Sequence, residues 1–118
     1  MIELLQKLVA FKYSCKISHW RTGDYAMHLL YDRLQEDMDD IIDDLAERHF
    51  MAGNLKDKLT PQLLNPEMID SDLAKGIEDI LDHIEKGMEK KKLSEGMTSL
   101  LSGIAEKFLA KQALIGLK

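Results

Sequence analysis

Apolar residues recur at spacings of three and four along nearly the whole chain, and proline occurs only at Pro61 and Pro66. A strand would alternate with period two, so this pattern selects amphipathic helices on either side of one proline-bearing interruption. β-Branched residues are few, which points the same way.

Four helical segments follow. The first runs from Ile2 to Trp20, with Leu4, Leu5, Leu8, Phe11 and Cys15 as its stripe. Thr22-Gly23-Asp24 breaks it, and Asp24 suits the N-cap of the next helix. The second is expected as one continuous helix from Tyr25 to Ala52. Met27, Leu30, Leu34, Met38, Ile41, Ile42 and Leu45 fall on one arc of it; Asp32, Glu36, Asp39, Asp40, Asp43, Asp44 and Glu47 fill the opposite half. Gly53-Asn54 supplies a stop. The stretch from Asn54 to Asp70 carries both prolines and reads as a linker, long for a compact domain. A connection of that length lets the third helix run parallel to the second, as in ferritin-like bundles with one crossover. Leu63-Leu64 is expected to pack across the bundle. The third helix spans Ser71 to Lys91, with Leu73, Ile77, Ile80, Leu81, Ile84 and Met88 inward. Ser94-Glu95 opens the fourth, which reaches Leu117 on a stripe of Leu100, Leu101, Ile104, Phe108 and Leu114-Ile115. The expectation is one all-α domain over residues 1–118.

Composition narrows the function. At 118 residues, 45% hydrophobic and 31% charged, the chain has the balance of an ordinary globular domain. No apolar run approaches a membrane span. The start, Met1-Ile-Glu-Leu-Leu, lacks the basic n-region of a secretion signal. Cys15 is the single cysteine, so no disulfide framework can form, and a reducing cytoplasmic setting is expected. A net charge of -5 argues against binding nucleic acid chiefly through phosphates.

His28, Asp32, Asp43 and Glu47 carry the chemistry. They form two helical i, i+4 pairs with ten residues between them. On one continuous helix they fall at 0°, about 40°, about 60° and about 100°, so all four share a face. Imidazole and carboxylate together suit a first-row metal such as iron. The midpoints of the pairs would lie about 22 Å apart, too far for one ion to touch both. Two antiparallel copies about a twofold axis near Asp37–Met38 would bring each pair opposite its complement, giving two sites shared between subunits. The chain contains no Glu-x-x-His, so ligands inside a single bundle are not expected. The density of acids from 32 to 47 makes some carboxylate pairs inevitable, and a solvated acidic face is the other reading of the same residues.

His19-Trp20, Gly23, His28-x-x-x-Asp32 and Asp43-x-x-Ala46-Glu47-Arg48 resemble the signature of the Dps family (DNA protection during starvation), the small ferritin-like proteins. The last helix, from Gly96-Met97-Thr98 through Leu100-Leu101 to Leu114, is also similar to that family's, so the resemblance spans nearly the whole chain. It implies a ferritin-like four-helix bundle with a long crossover between helices 2 and 3. It implies a hollow homo-oligomer, usually of twelve subunits, which oxidises ferrous iron, preferably with hydrogen peroxide rather than oxygen, and stores the ferric product. By position, His19, His28 and Asp32 would come from one subunit and Asp43 and Glu47 from its mate, with Trp20 beside the site to intercept radicals. The stretch between His19 and His28 is shorter than the family's, the first helix is trimmed, and the lysine-rich tail that binds DNA in some members is absent. DNA binding is accordingly not expected. A structural bundle that keeps the fold without the chemistry is the alternative.

Other residues read more simply. Glu36, Asp39 and Asp40 would either attract cations or merely be solvated. His49 lies on the apolar side of its helix and reads as packed or capped. His83, one turn after Asp79, reads as half of a surface pair. Met27, Met38, Met88 and Met97 read as core filler, and Lys90-Lys91-Lys92 as a helix C-terminus answering the dipole.

Overall fold

The computed structural model describes residues 1–61, 70–90 and 93–116, with the side chains of 70–72 and 90 excluded. All regular secondary structure among the described residues is helical, and no strand occurs among them. Four helical segments are present, the second of them in two pieces, so the helices are α1 (Ile2–Arg21), α2 (Tyr25–Gln35), α3 (Met38–Met51), α4 (Asp70–Lys90) and α5 (Glu95–Gly116). The expected packing of Leu63-Leu64, the end of the lysine run at 91–92 and the expected end of the fourth helix at Leu117 lie outside the described residues. Among the described residues no helix is long and apolar enough to cross a membrane.

The chain divides into two compact units, Met1–Met68 and Ile69–Lys118. In the first, α1 packs against both α2 and α3. Its core is Leu4, Leu5, Leu8, Phe11 and Cys15 from α1 with Tyr31, Leu34, Met38, Ile41 and Leu45 from the facing helices. Contacts His19–His28 and Lys12–Asp39 show α1 running antiparallel to α2 and then to α3. The reversal is made by Thr22-Gly23-Asp24. Asp24 caps α2 by accepting from the Ala26 N–H at 2.9 Å, and the Asp24 N–H in turn donates to Thr22 Oγ1.

The single helix expected from Tyr25 to Ala52 is not continuous. Glu36 has an extended ψ of 145° and Asp37 is left-handed at φ 65°, ψ -2°. The cause is electrostatic as much as steric. Continuing the helix would stack like charges at Asp32/Glu36 and Glu36/Asp40, each costing a few tenths of a kcal/mol. Breaking it gives Asp39 and Asp40 a fresh N-terminus whose dipole favours them. Aspartate is also one of the few residues that tolerate the left-handed region. Gly53, at φ 101°, ends α3 as expected.

In the second unit α4 packs against α5. Leu73, Ile77, Ile80 and Ile84 are buried on α4; Leu101, Ile104 and Phe108 are buried on α5. Ser94 opens α5, its Oγ accepting from the Met97 N–H at 3.1 Å and its carbonyl from the Thr98 N–H at 2.9 Å.

Candidate metal centre

His19 leaves the last turn of α1 and His28 the first turn of α2, nine residues apart across the reversal. Their rings stack with centroids 3.7 Å apart and planes 24° from parallel. His19 Nδ1 lies 2.8 Å from the His28 carbonyl, and His28 Nδ1 lies 2.9 Å from the His19 carbonyl. A carbonyl oxygen can only accept, so in both rings Nδ1 carries the proton. Each Nε2 of a neutral ring is then a bare lone pair. Donation of one ring nitrogen to a backbone carbonyl is also how metal-binding histidines are held in the correct tautomer. The His28 bond serves the fold as well, because the His19 carbonyl sits among the last-turn acceptors that α1 cannot satisfy itself.

Asp32 lies one turn beyond His28, half-buried, and accepts from Gln35 Nε2 at 3.3 Å. Within α2 the His28/Asp32 pair keeps the geometry expected of it. Asp43 and Glu47 likewise form an exposed i, i+4 pair within α3. The shared face of all four residues is a different matter. It was computed on a continuous helix, and the break at Glu36–Asp37 cancels both that arithmetic and the 22 Å separation drawn from it. Among the described residues no three histidine, cysteine or carboxylate side chains converge on one point within the chain. The reversal brings His19 and His28 together; Asp32 follows His28 by one turn of α2, and Asp43 and Glu47 stand on another helix.

Exposed apolar side chains surround that reversal. Trp20, next to His19, is 65% exposed, Tyr25 is 74% exposed and Leu29 is 46% exposed. Tyr25, Leu29 and Asp32 follow one another at helical spacing beside His28. This patch was not singled out from the sequence, although the 25/29/32 spacing was legible.

Asp39 is not a free carboxylate. Lys12, from α1, makes an ion pair with it. The ammonium lies over the Tyr13 ring at 4.8 Å, and only 11% of the Lys12 side chain is exposed. The Asp39 partnership holds the Lys12 ammonium above its ordinary range, and the same bond holds the Asp39 carboxyl below its own. Lys12 was missed in the sequence. Its signal was there: it interrupts the Leu8–Cys15 stripe, and a lysine on a buried stripe needs a counter-ion.

His49 is buried and bonded through Nε2 to Asp57 Oδ2 at 2.7 Å, while Asn54 Nδ2 donates to its carbonyl at 2.9 Å. It is a packed and capped histidine, as expected. Cys15 is a fully buried thiol outside any disulfide.

Comparison of the chain with protein-family models, with curated proteins and with solved structures finds no match.

Proposed function

We propose that this chain is the subunit of a Dps-type ferroxidase and iron store. Ferrous iron is its substrate, held by His19, His28 and Asp32 of one subunit and by Asp43 and Glu47 of a mate related by a twofold axis. The fold of this reading is the ferritin-like four-helix bundle, with the segment between α3 and α4 as its crossover. Twofold dimers build a hollow shell, for which a dodecamer is the expected size.

One observation carries the reading: the paired tautomers of His19 and His28. Two imidazoles with Nδ1 committed to backbone leave two Nε2 donors one helical turn from a carboxylate, a donor set that fits iron. The exposed Trp20, Tyr25 and Leu29 add to it, because a subunit seated there would cover apolar surface around half-buried polar groups. Among the described residues no three such groups converge within one chain, and on this reading donors from the mate complete the set.

The chemistry balances with peroxide as oxidant. Two ferrous ions give up one electron each, and those electrons with two protons turn one hydrogen peroxide into two waters. Pairing the electrons in this way avoids releasing hydroxyl radical. Trp20 stands beside the site to donate an electron to any radical that escapes. A reducing compartment such as the cytoplasm suits both ferrous supply and a thiol outside any disulfide at Cys15.

Anaerobic titration with ferrous salt, followed by peroxide, tests the reading. Saturable uptake and rapid oxidation are expected from the wild-type chain. An Asp43→Ala, Glu47→Ala variant that oxidises iron at the wild-type rate would remove the site. Native mass near twelve chains is expected; a monomer is incompatible with shared ligands. Assembly without oxidation would favour the structural bundle. Gel retardation of DNA is not expected.

A further inference from the structure

The break at Glu36–Asp37 raises a question of register. With α2 and α3 discontinuous, the helical repeat no longer relates the rotation of Asp43 and Glu47 to that of His28 and Asp32. Both helices do pack on α1, and a polar pairing fastens each to it. The His19–His28 pair fastens α2. The Lys12–Asp39 ion pair fastens α3, two residues past the left-handed Asp37.

Asp39, Asp43 and Glu47 follow one another at i, i+4 and i+8, so they form a single stripe on α3. Holding the first member of that stripe fixes the azimuth of the other two. We infer that Lys12 is a positioning residue which sets the register of the Asp43–Glu47 pair by clamping Asp39 to α1. The inference rests on the ferroxidase reading for its consequence, though not for its geometry. α1 acts as a common ruler: its C-terminal end registers the histidine half of the site and its middle registers the carboxylate half.

The remaining surroundings of Lys12 agree with a clamp. Its ammonium is confined between the Tyr13 ring and α3, close enough to feel the charge of Asp43 as well as Asp39. Lys16, one turn along α1, adds positive charge toward Asp39 from the same side. The Lys12 side chain is only 11% exposed while Asp39 is 74% exposed, so the packed lysine stem aims its ammonium at the carboxylate where it meets the surface.

The test is a double-mutant cycle of Lys12→Met and Asp39→Asn, with Lys16 left in place. Backbone amide NMR reads the register directly. Both single variants are expected to shift amides of residues 39–47 while leaving those of residues 25–35 in place, and the double variant is expected to add little. Cobalt(II) titration reads the consequence: affinity falls about tenfold, the scale of a lost positioning contact, with assembly unchanged. Unshifted α3 amides in both single variants would overturn the inference, whether or not metal binds. Shifted amides with cobalt affinity unchanged would overturn the positioning role while keeping the clamp. Failure of the wild-type chain to take up metal would sink the ferroxidase reading alone, since the amide shifts would still report the register.

Discussion

His19 and His28 each donate Nδ1–H to the other's backbone carbonyl, at 2.8 and 2.9 Å, with their rings stacked between the two bonds. The arrangement closes the α1–α2 reversal and fixes two tautomers in one step. On the proposed function, its usefulness to a metal is a by-product of a structural need, since α1 ends in carbonyls that require donors.

That geometry predicts the protonation pattern. Long-range proton–nitrogen NMR of the neutral rings should show the Nδ1–H tautomer in both. His28→Phe keeps a stacking ring but removes the donor to the His19 carbonyl, and should cost about 1 kcal/mol in thermal unfolding. An Nε2–H tautomer in either ring would contradict the reciprocal bonds.

Asp37 predicts a stability effect of unusual sign. A left-handed non-glycine residue costs about 1 kcal/mol, less for aspartate than for a β-branched residue. Asp37→Gly should therefore raise the denaturation midpoint, and Asp37→Val should lower it by about 1–2 kcal/mol. Equal effects from both would show that the residue is not left-handed in solution.

The break at Asp37 also marks where sequence reasoning ran short. Helix starts and stops elsewhere were legible because they use specific chemistry: Asp24 and Ser94 as caps, Gly53 as a left-handed stop. The Glu36–Asp37 break carries neither glycine nor proline, and the apolar stripe from Leu34 to Met38 runs through it undisturbed. Only the clustering of carboxylates hinted that a continuous helix would be strained. In the candidate site, the pairs His28/Asp32 and Asp43/Glu47 were legible because i, i+4 spacing survives within each helix. The His19–His28 stack was beyond reach, since it depends on how tightly a three-residue reversal folds. The Lys12–Asp39 pair was half legible, in the lysine that interrupts the buried stripe of α1.

Glycines within helices offer a separate test of packing. A Cβ added at Gly87 in α4 or at Gly103 in α5 would meet nothing within 4 Å. Alanine there removes backbone freedom from the unfolded chain without a clash, so each substitution should stabilise by about 0.5–1 kcal/mol. Gly53→Ala also meets no atoms, yet the φ of 101° penalises any side chain, and it should destabilise. Opposite signs at sites of equal free space would separate backbone strain from crowding.

The clamp between Lys12 and Asp39 has a pH signature whose sign follows from the two displaced titrations. The Lys12 ammonium lowers the Asp39 carboxyl from its ordinary 3.8, chiefly by hydrogen bonding, so that contribution is present above 3.8 and is lost as pH falls through the lower folded value. Lys12 is raised from 10.5, again chiefly by its bond to Asp39, so its contribution is complete below 10.5 and is lost as pH climbs through the higher folded value. Between these limits the pair contributes evenly. Lys12→Met should therefore differ from wild type by a constant amount across neutral pH, and the part of that difference due to the ion pair should vanish in strong acid. Carboxyl NMR gives the sharper reading: Asp39 should titrate below the usual carboxylate range in the wild-type chain and return to it in Lys12→Met. An Asp39 that titrates identically in both proteins would mean the ammonium does not reach it in solution, and α3 would lose its fastening to α1.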